Sequence, residues 1–98
     1  MTGGSLGTKL YSASPNPFHD LTRLQFDVAS AGSDVRLTVF DPAGRVVKQL
    51  QDGCDRPGRY VATWDGTDSD GVRVASGVYY CLFEAGSVRD MRAVALVR

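Results

Sequence analysis

The sequence predicts an all-β fold, a sandwich of two sheets made from about seven antiparallel strands. Its acids are ten Asp to one Glu and its bases nine Arg to two Lys. Helical domains draw on Glu and Lys, whereas Asp favours turns because its short side chain bonds nearby backbone N–H groups. Twelve Val, six Thr and nine aromatic residues favour strands, and 11 Gly with 4 Pro supply turn punctuation. Alternating apolar and polar runs recur about every ten residues between turn signals. No helical period and no internal repeat emerges.

Taken in order, Met1-Thr2-Gly3-Gly4-Ser5 is small and polar and reads as a linker, leaving residues 6–98 as one domain. Leu6 to Ala13 forms a first strand, interrupted by Ser14-Pro15-Asn16-Pro17, where two prolines force extended or turn geometry and remove two backbone donors. Leu24, Phe26 and Val28 alternate with polar residues as a half-buried strand, and Val35, Leu37 and Val39 repeat the pattern. Asp41-Pro42-Ala43-Gly44 is a turn leading into a strand from Arg45 to Gln51, the best hairpin in the chain. A polar loop from Asp52 to Gly58 precedes Tyr60, Ala62 and Trp64, which share one sheet face. Asp65 to Gly71 is the most turn-rich stretch. Val78 to Glu84 is apolar on both faces, as a central strand buried from two sides would be. Val88 to Val97 is the last strand. Strands at these spacings fit an Ig-like, fibronectin III-like sandwich.

Composition narrows function by exclusion. The 98 residues suffice for a single core, and no apolar run reaches the ~18 residues of a membrane-spanning helix. Eleven basic residues balance eleven acidic ones without a basic run, so the footprint of a nucleic-acid binder is missing. One His and no catalytic signature argue against an enzyme and against any cofactor.

Five motifs then resemble a known family. Pro15-Asn16-Pro17-Phe18, Leu24-x-Phe26, Val39-Phe40-Asp41-x-x-Gly44-Arg45-x-Val47, Trp64-Asp65-Gly66-Thr67-Asp68-x-x-Gly71 and Val74-Ala75-Ser76-Gly77-Val78-Tyr79 look, in this order, like the Ig-like domain of the flagellar hook-capping protein. Wider relatives sit at the C-termini of secreted bacterial proteins, where similar domains are type IX secretion sorting signals. The resemblance runs from about Ser14 to Arg98. Cys54, Cys81 and Ala93 depart from its usual pattern. It implies a C-terminal module of a larger exported protein, routed through the periplasm to the cell surface or the medium. Outer-membrane export machinery would recognise the folded sandwich and cleave it from its cargo near residues 1 to 14. The expected epitope is Pro15 to Phe18 together with the exposed part of the final strand. The alternative is a spacer or a carbohydrate-binding appendage of a secreted enzyme, with polysaccharide as partner. A piece of a hook-capping protein fits the motifs but not a chain beginning so close to the domain.

Each motif also has a plain structural role. The prolines would fix a bend while Phe18 plugs the open end of the sandwich. Asp65, Asp68 and Asp70 before Gly71 suggest alternate oxygen ligands for calcium, but the spacing matches an EF-hand loop poorly and turn-capping explains the acids. A planar Trp64 can stack sugars, yet a lone Trp in a small sandwich is most often core. Tyr79-x-Cys81 is similar to the tyrosine corner of Ig domains. Cys54 and Cys81, an even count in an exported chain, permit a disulfide, although one sits in a loop and the other in a central strand. His19 reads as an exposed turn residue. Arg36, Arg45, Arg59, Arg73, Arg89 and Arg92 read as solvated, edge-protecting charges.

Overall fold

A computed structural model describes residues 7–29, 34–53 and 56–98. The strands are β1 (Lys9–Leu10), β2 (Thr22–Val28), β3 (Val35–Phe40), β4 (Val46–Asp52), β5 (Gly58–Trp64), β6 (Gly77–Ala85) and β7 (Val88–Leu96). They form a three-stranded sheet in the order β1-β2-β5 and a four-stranded sheet in the order β4-β3-β6-β7. Every pairing between strands is antiparallel, so the Ig-like sandwich read from the sequence is the fold.

Alternation decides what is buried. Leu24, Phe26 and Val28 from β2 meet Val35, Leu37 and Val39 from β3 between the sheets. Phe26 stacks on Tyr60 with centroids 5.4 Å apart and tilts against Phe83 at 5.3 Å. Such aromatic pairs add about 0.5–1.5 kcal/mol beyond the area they bury. The β3–β4 turn is organised by Asp41, whose Oδ1 accepts the N–H groups of Ala43 (3.0 Å) and Arg45 (2.9 Å). Gly44, at φ 85°, supplies the left-handed residue that closes it. The Arg45 N–H is the main reason that the Asp41 carboxyl sits below its ordinary pKa.

Three readings need correction. The first strand is only Lys9–Leu10. Beyond it the chain keeps single contacts with β2, from Tyr11 N–H to the Gln25 carbonyl and then between Ser14 and Arg23, before the prolines turn it away. Leu6 and the linker at residues 1–5 lie outside the described residues. Strand β6 is buried on one face only: Tyr79, Cys81, Phe83 and Ala85 point inward, whereas Val78 is exposed and Tyr80 and Leu82 are half-buried. A two-layer sandwich has a single interior, so a central strand with two apolar faces still presents one to solvent. Finally, Arg59 and Arg92 are structural partners as well as surface charges, with Arg59 remaining exposed. Arg59 forks onto buried Asp27 at 2.9 and 3.3 Å, and Arg92 Nη2 donates to the Leu10 carbonyl at 2.7 Å.

Candidate functional site

The segment Ser14–His19 crosses from β2, which holds Ser14 and Pro15, to the outer edge of β7, which holds Asn16, Phe18 and His19. Its two prolines leave it without competing donors at those positions; both follow cis peptide bonds, and the chain bends through residues 15–17. Its start is held by paired backbone bonds between Ser14 and Arg23, and by the buried Thr22 hydroxyl, which donates to the Pro15 carbonyl at 2.7 Å. Asn16 then acts as a strand residue through its side chain. Its Nδ2 donates to the Ala93 carbonyl at 3.0 Å and its Oδ1 accepts the Ala95 N–H at 2.9 Å. An amide side chain carries the donor and acceptor of a peptide group, so it can complete a ladder where Pro cannot.

Phe18 continues the ladder as a parallel bridge to Leu96: its N–H donates to the Ala95 carbonyl and its carbonyl accepts the Val97 N–H, both at 2.9 Å. The Phe18 ring turns inward, fully buried, 5.5 Å from the Trp64 ring. His19 is exposed, but its Nδ1 lies 2.7 Å from the Val97 carbonyl, which can only accept, so Nδ1 carries the proton in that bond. The structure therefore brings together the two surfaces expected to form an epitope, Pro15 to Phe18 and the final strand. The same geometry shows Phe18 plugging the end of the sandwich.

The other singled-out residues support this region from below. Trp64 is 1% exposed, donates Nε1–H to the Thr67 carbonyl at 2.9 Å and meets Tyr79 edge-on at 5.1 Å. It offers no face to a sugar. Tyr79 donates its hydroxyl to the Ala75 carbonyl at 2.6 Å, the tyrosine-corner bond, and burial raises its pKa. Gly66, at φ 76°, holds a left-handed backbone that calls for glycine, and a Cβ there would displace the Arg98 guanidinium, 2.9 Å away. Gly71 closes a turn at φ 80°, and Gly77 opens β6.

Two of the three acids of the 65–71 loop, Asp65 and Asp68, are occupied as turn caps. Asp65 Oδ1 accepts the Thr67 hydroxyl (2.6 Å) and N–H (3.2 Å) and lies 3.7 Å from Lys48 Nζ. The Thr67 hydroxyl chiefly lowers its pKa. Asp68 Oδ1 accepts the N–H groups of Asp70 and Val72, while Asp70 is exposed. Cys81 is a free thiol in the core, and burial pushes its pKa up to about 12. Cys54, the other half of the permitted disulfide, lies outside the described residues.

Sequence reasoning missed the contacts that lock this end. Arg98 donates to the Gly66 carbonyl (2.6 Å) and the Val74 carbonyl (3.2 Å), and its N–H meets the Ser76 hydroxyl. Asp27 also escaped notice. It is 2% exposed on the outer face of the three-stranded sheet, where it receives Arg59 and, at 2.6 Å, the Tyr11 hydroxyl. In the alternation of Leu24, Phe26 and Val28 it reads as an outward polar residue, so the sequence carried no signal for its burial.

Comparison with known proteins matches residues 16–87 to the FlgD Ig-like domain. The basal-body rod modification proteins FlgD of Salmonella typhimurium and Salmonella typhi are each 44% identical over 45 residues, which cover 46% of this chain and 19% of theirs. Among solved structures, PorZ of Porphyromonas gingivalis, a surface component of the type-IX secretion system, superposes with a TM-score of 0.60 at 24% identity over 98% of this chain. Dimeric latent PorU of the same organism gives 0.59 at 21% identity over 87%. This chain spans 13% and 9% of those two proteins, so the likeness is one of domain fold.

Proposed function

The chain belongs to the FlgD Ig-like domain family, and from that premise we propose that it is a non-catalytic C-terminal Ig-like module of a larger exported bacterial protein, acting as a sorting or cell-surface attachment signal. The observation that carries this reading is the docking of Asn16 and Phe18 on β7. It makes one composite surface of a loop and a strand far apart in sequence, which exists only when the domain is folded. A signal of that kind suits machinery that passes folded cargo. The likeness in fold to PorZ and PorU supports the assignment to a type IX system. The domain is then substrate rather than catalyst. Its partner is outer-membrane export machinery, and it reaches the surface or medium through the periplasm.

The test is an export assay. Residues 6–98 are fused behind a periplasm-directed fluorescent reporter in a bacterium with a type IX system. Beside it run an Asn16→Ala fusion and one truncated before Val88. Surface or medium fluorescence from the parent fusion, with the tail removed, is the expected result. Parent reporter trapped in the periplasm with the domain intact and folded would refute the reading.

A second reading, a structural spacer, draws on the 44% identity to FlgD over 45 residues. It predicts that trapped, folded outcome. The carbohydrate-binding version loses its sugar platform with the burial of Trp64.

A further inference from the structure

Four strands lie at sheet edges, β1 and β5 in one sheet and β4 and β7 in the other. Exposed edges invite pairing with foreign strands, and proteins blunt them with covers, irregularities, prolines or charges. Three of these edges are blunted. On β1, the Leu10 N–H donates to Asp90 Oδ2 and its carbonyl accepts Arg92 Nη2. On β7, Asn16 and Phe18 take the ladder positions. Strand β4 has two register shifts against β3, and Ser69 donates to its Val47 carbonyl.

Strand β5 is different. Gln25 and Arg23 direct their backbone groups to the β1 side, so Leu24 and Phe26 face β5, where they oppose Ala62 and Tyr60. The N–H and C=O groups of Arg59, Val61 and Thr63 therefore point away from the sheet. Among the described residues they meet no backbone partner. The strand runs seven residues without a proline or register shift, and Val61 is 58% exposed.

The neighbouring surface has a definite charge. Lys9, Arg23 and Arg59 share the outer face of this sheet with one acid, Asp27, whose oxygens are held by Arg59 and Tyr11. Beside Val61 a shallow hollow is lined by Tyr11, Ser12, Ser14, Arg23 and Gln25. Arg23 has no acidic partner among the described residues.

We infer that β5 is a docking edge for an extended acidic peptide segment of another protein, which adds a strand through Arg59, Val61 and Thr63 and places a carboxylate side chain toward Arg23. Main-chain bonds supply affinity in this mode and alternate side chains supply selectivity. A second copy of the chain is the poorer occupant. Two-fold pairing about Val61 would add another Arg59 and Arg23 to one continuous basic face.

This inference is independent of the export reading and is tested on the isolated chain. The probes are fluorescent peptides of alternating Glu and Val, the same with Lys for Glu, and the Glu peptide with alternate backbone nitrogens methylated. Anisotropy is read beside amide NMR of the chain. The expected result is saturable binding of the Glu peptide, at least about tenfold weaker binding of the Lys peptide, and none of the methylated one. The Arg59, Val61 and Thr63 amides should shift most. Val61→Pro, which removes an outward N–H and no hydrogen bond to β2, should abolish binding, and Arg23→Glu should remove the preference for Glu over Lys while leaving the melting temperature in place. Equal binding of the methylated peptide, perturbations confined to another face, or no binding by any peptide overturns the inference. So does concentration-dependent protection of those three amides in the free chain, which would assign the edge to a second copy.

Discussion

Replacing Asn16 by Ala removes two hydrogen bonds across the β7 edge, at 3.0 Å to the Ala93 carbonyl and 2.9 Å from the Ala95 N–H. Both are solvent-flanked, so each contributes toward the lower end of the usual range, about 0.5–1 kcal/mol. Their sum of about 1–2 kcal/mol matters in a domain whose total stability is on the order of 5–15 kcal/mol. At about 4–8 °C per kcal/mol for this size, the melting temperature should fall by roughly 4–16 °C. Amide exchange localises the effect. The Ala95 N–H loses its acceptor and should exchange faster, while Val97, bonded to the Phe18 carbonyl, should stay protected. Asn16→Asp separates the halves: it keeps an acceptor for Ala95 but cannot donate to Ala93 when ionised. It should melt early while retaining Ala95 protection. A melting temperature for Asn16→Ala within about 2 °C of the parent, with Ala95 exchange unchanged, would refute the claim that this side chain completes the edge.

Two more outcomes follow from buried groups. Asp27 has its pKa lowered from 3.8 by its bond to Arg59, opposed by burial and aided by the Tyr11 hydroxyl. A carboxyl with a depressed folded pKa stabilises above its unfolded value and loses that contribution as pH falls through the folded one. Thermal melts from neutral pH into acid should therefore drop more steeply below 3.8 for the parent than for Asp27→Asn, and parallel curves would contradict this. Cys81, with its pKa pushed up to about 12 by burial, should resist alkylation at mildly basic pH. In a Cys54→Ser variant, labelling should begin only with unfolding in denaturant; rapid labelling of the folded variant would place the thiol outside the core.

Much of this molecule was legible in one dimension. Strand identity rests on period-two patterning, and β2, β3 and β5 fall where Leu24–Phe26–Val28, Val35–Leu37–Val39 and Tyr60–Ala62–Trp64 put them. Local turn chemistry was equally readable. Asp41 and Gly44 build the β3–β4 turn within five residues of chain, and Asp68 caps its neighbours two and four positions on. Legibility ended where contacts join distant segments. Asn16 meets Ala95 across 79 positions, Arg92 meets Leu10 across 82, and Arg59 meets Asp27 across 32. Composition made these arginines look like ordinary surface charges, because a charged side chain gains a specific role only from the acceptor beside it. Pattern alone also could not tell that the second apolar face of β6 meets water or that β5 ends a sheet. Residue order fixes which backbone can be a strand and which way its side chains alternate. The packing of two sheets decides which face is inside, which edge is covered and which is left open, since those follow from neighbours that only the folded chain supplies.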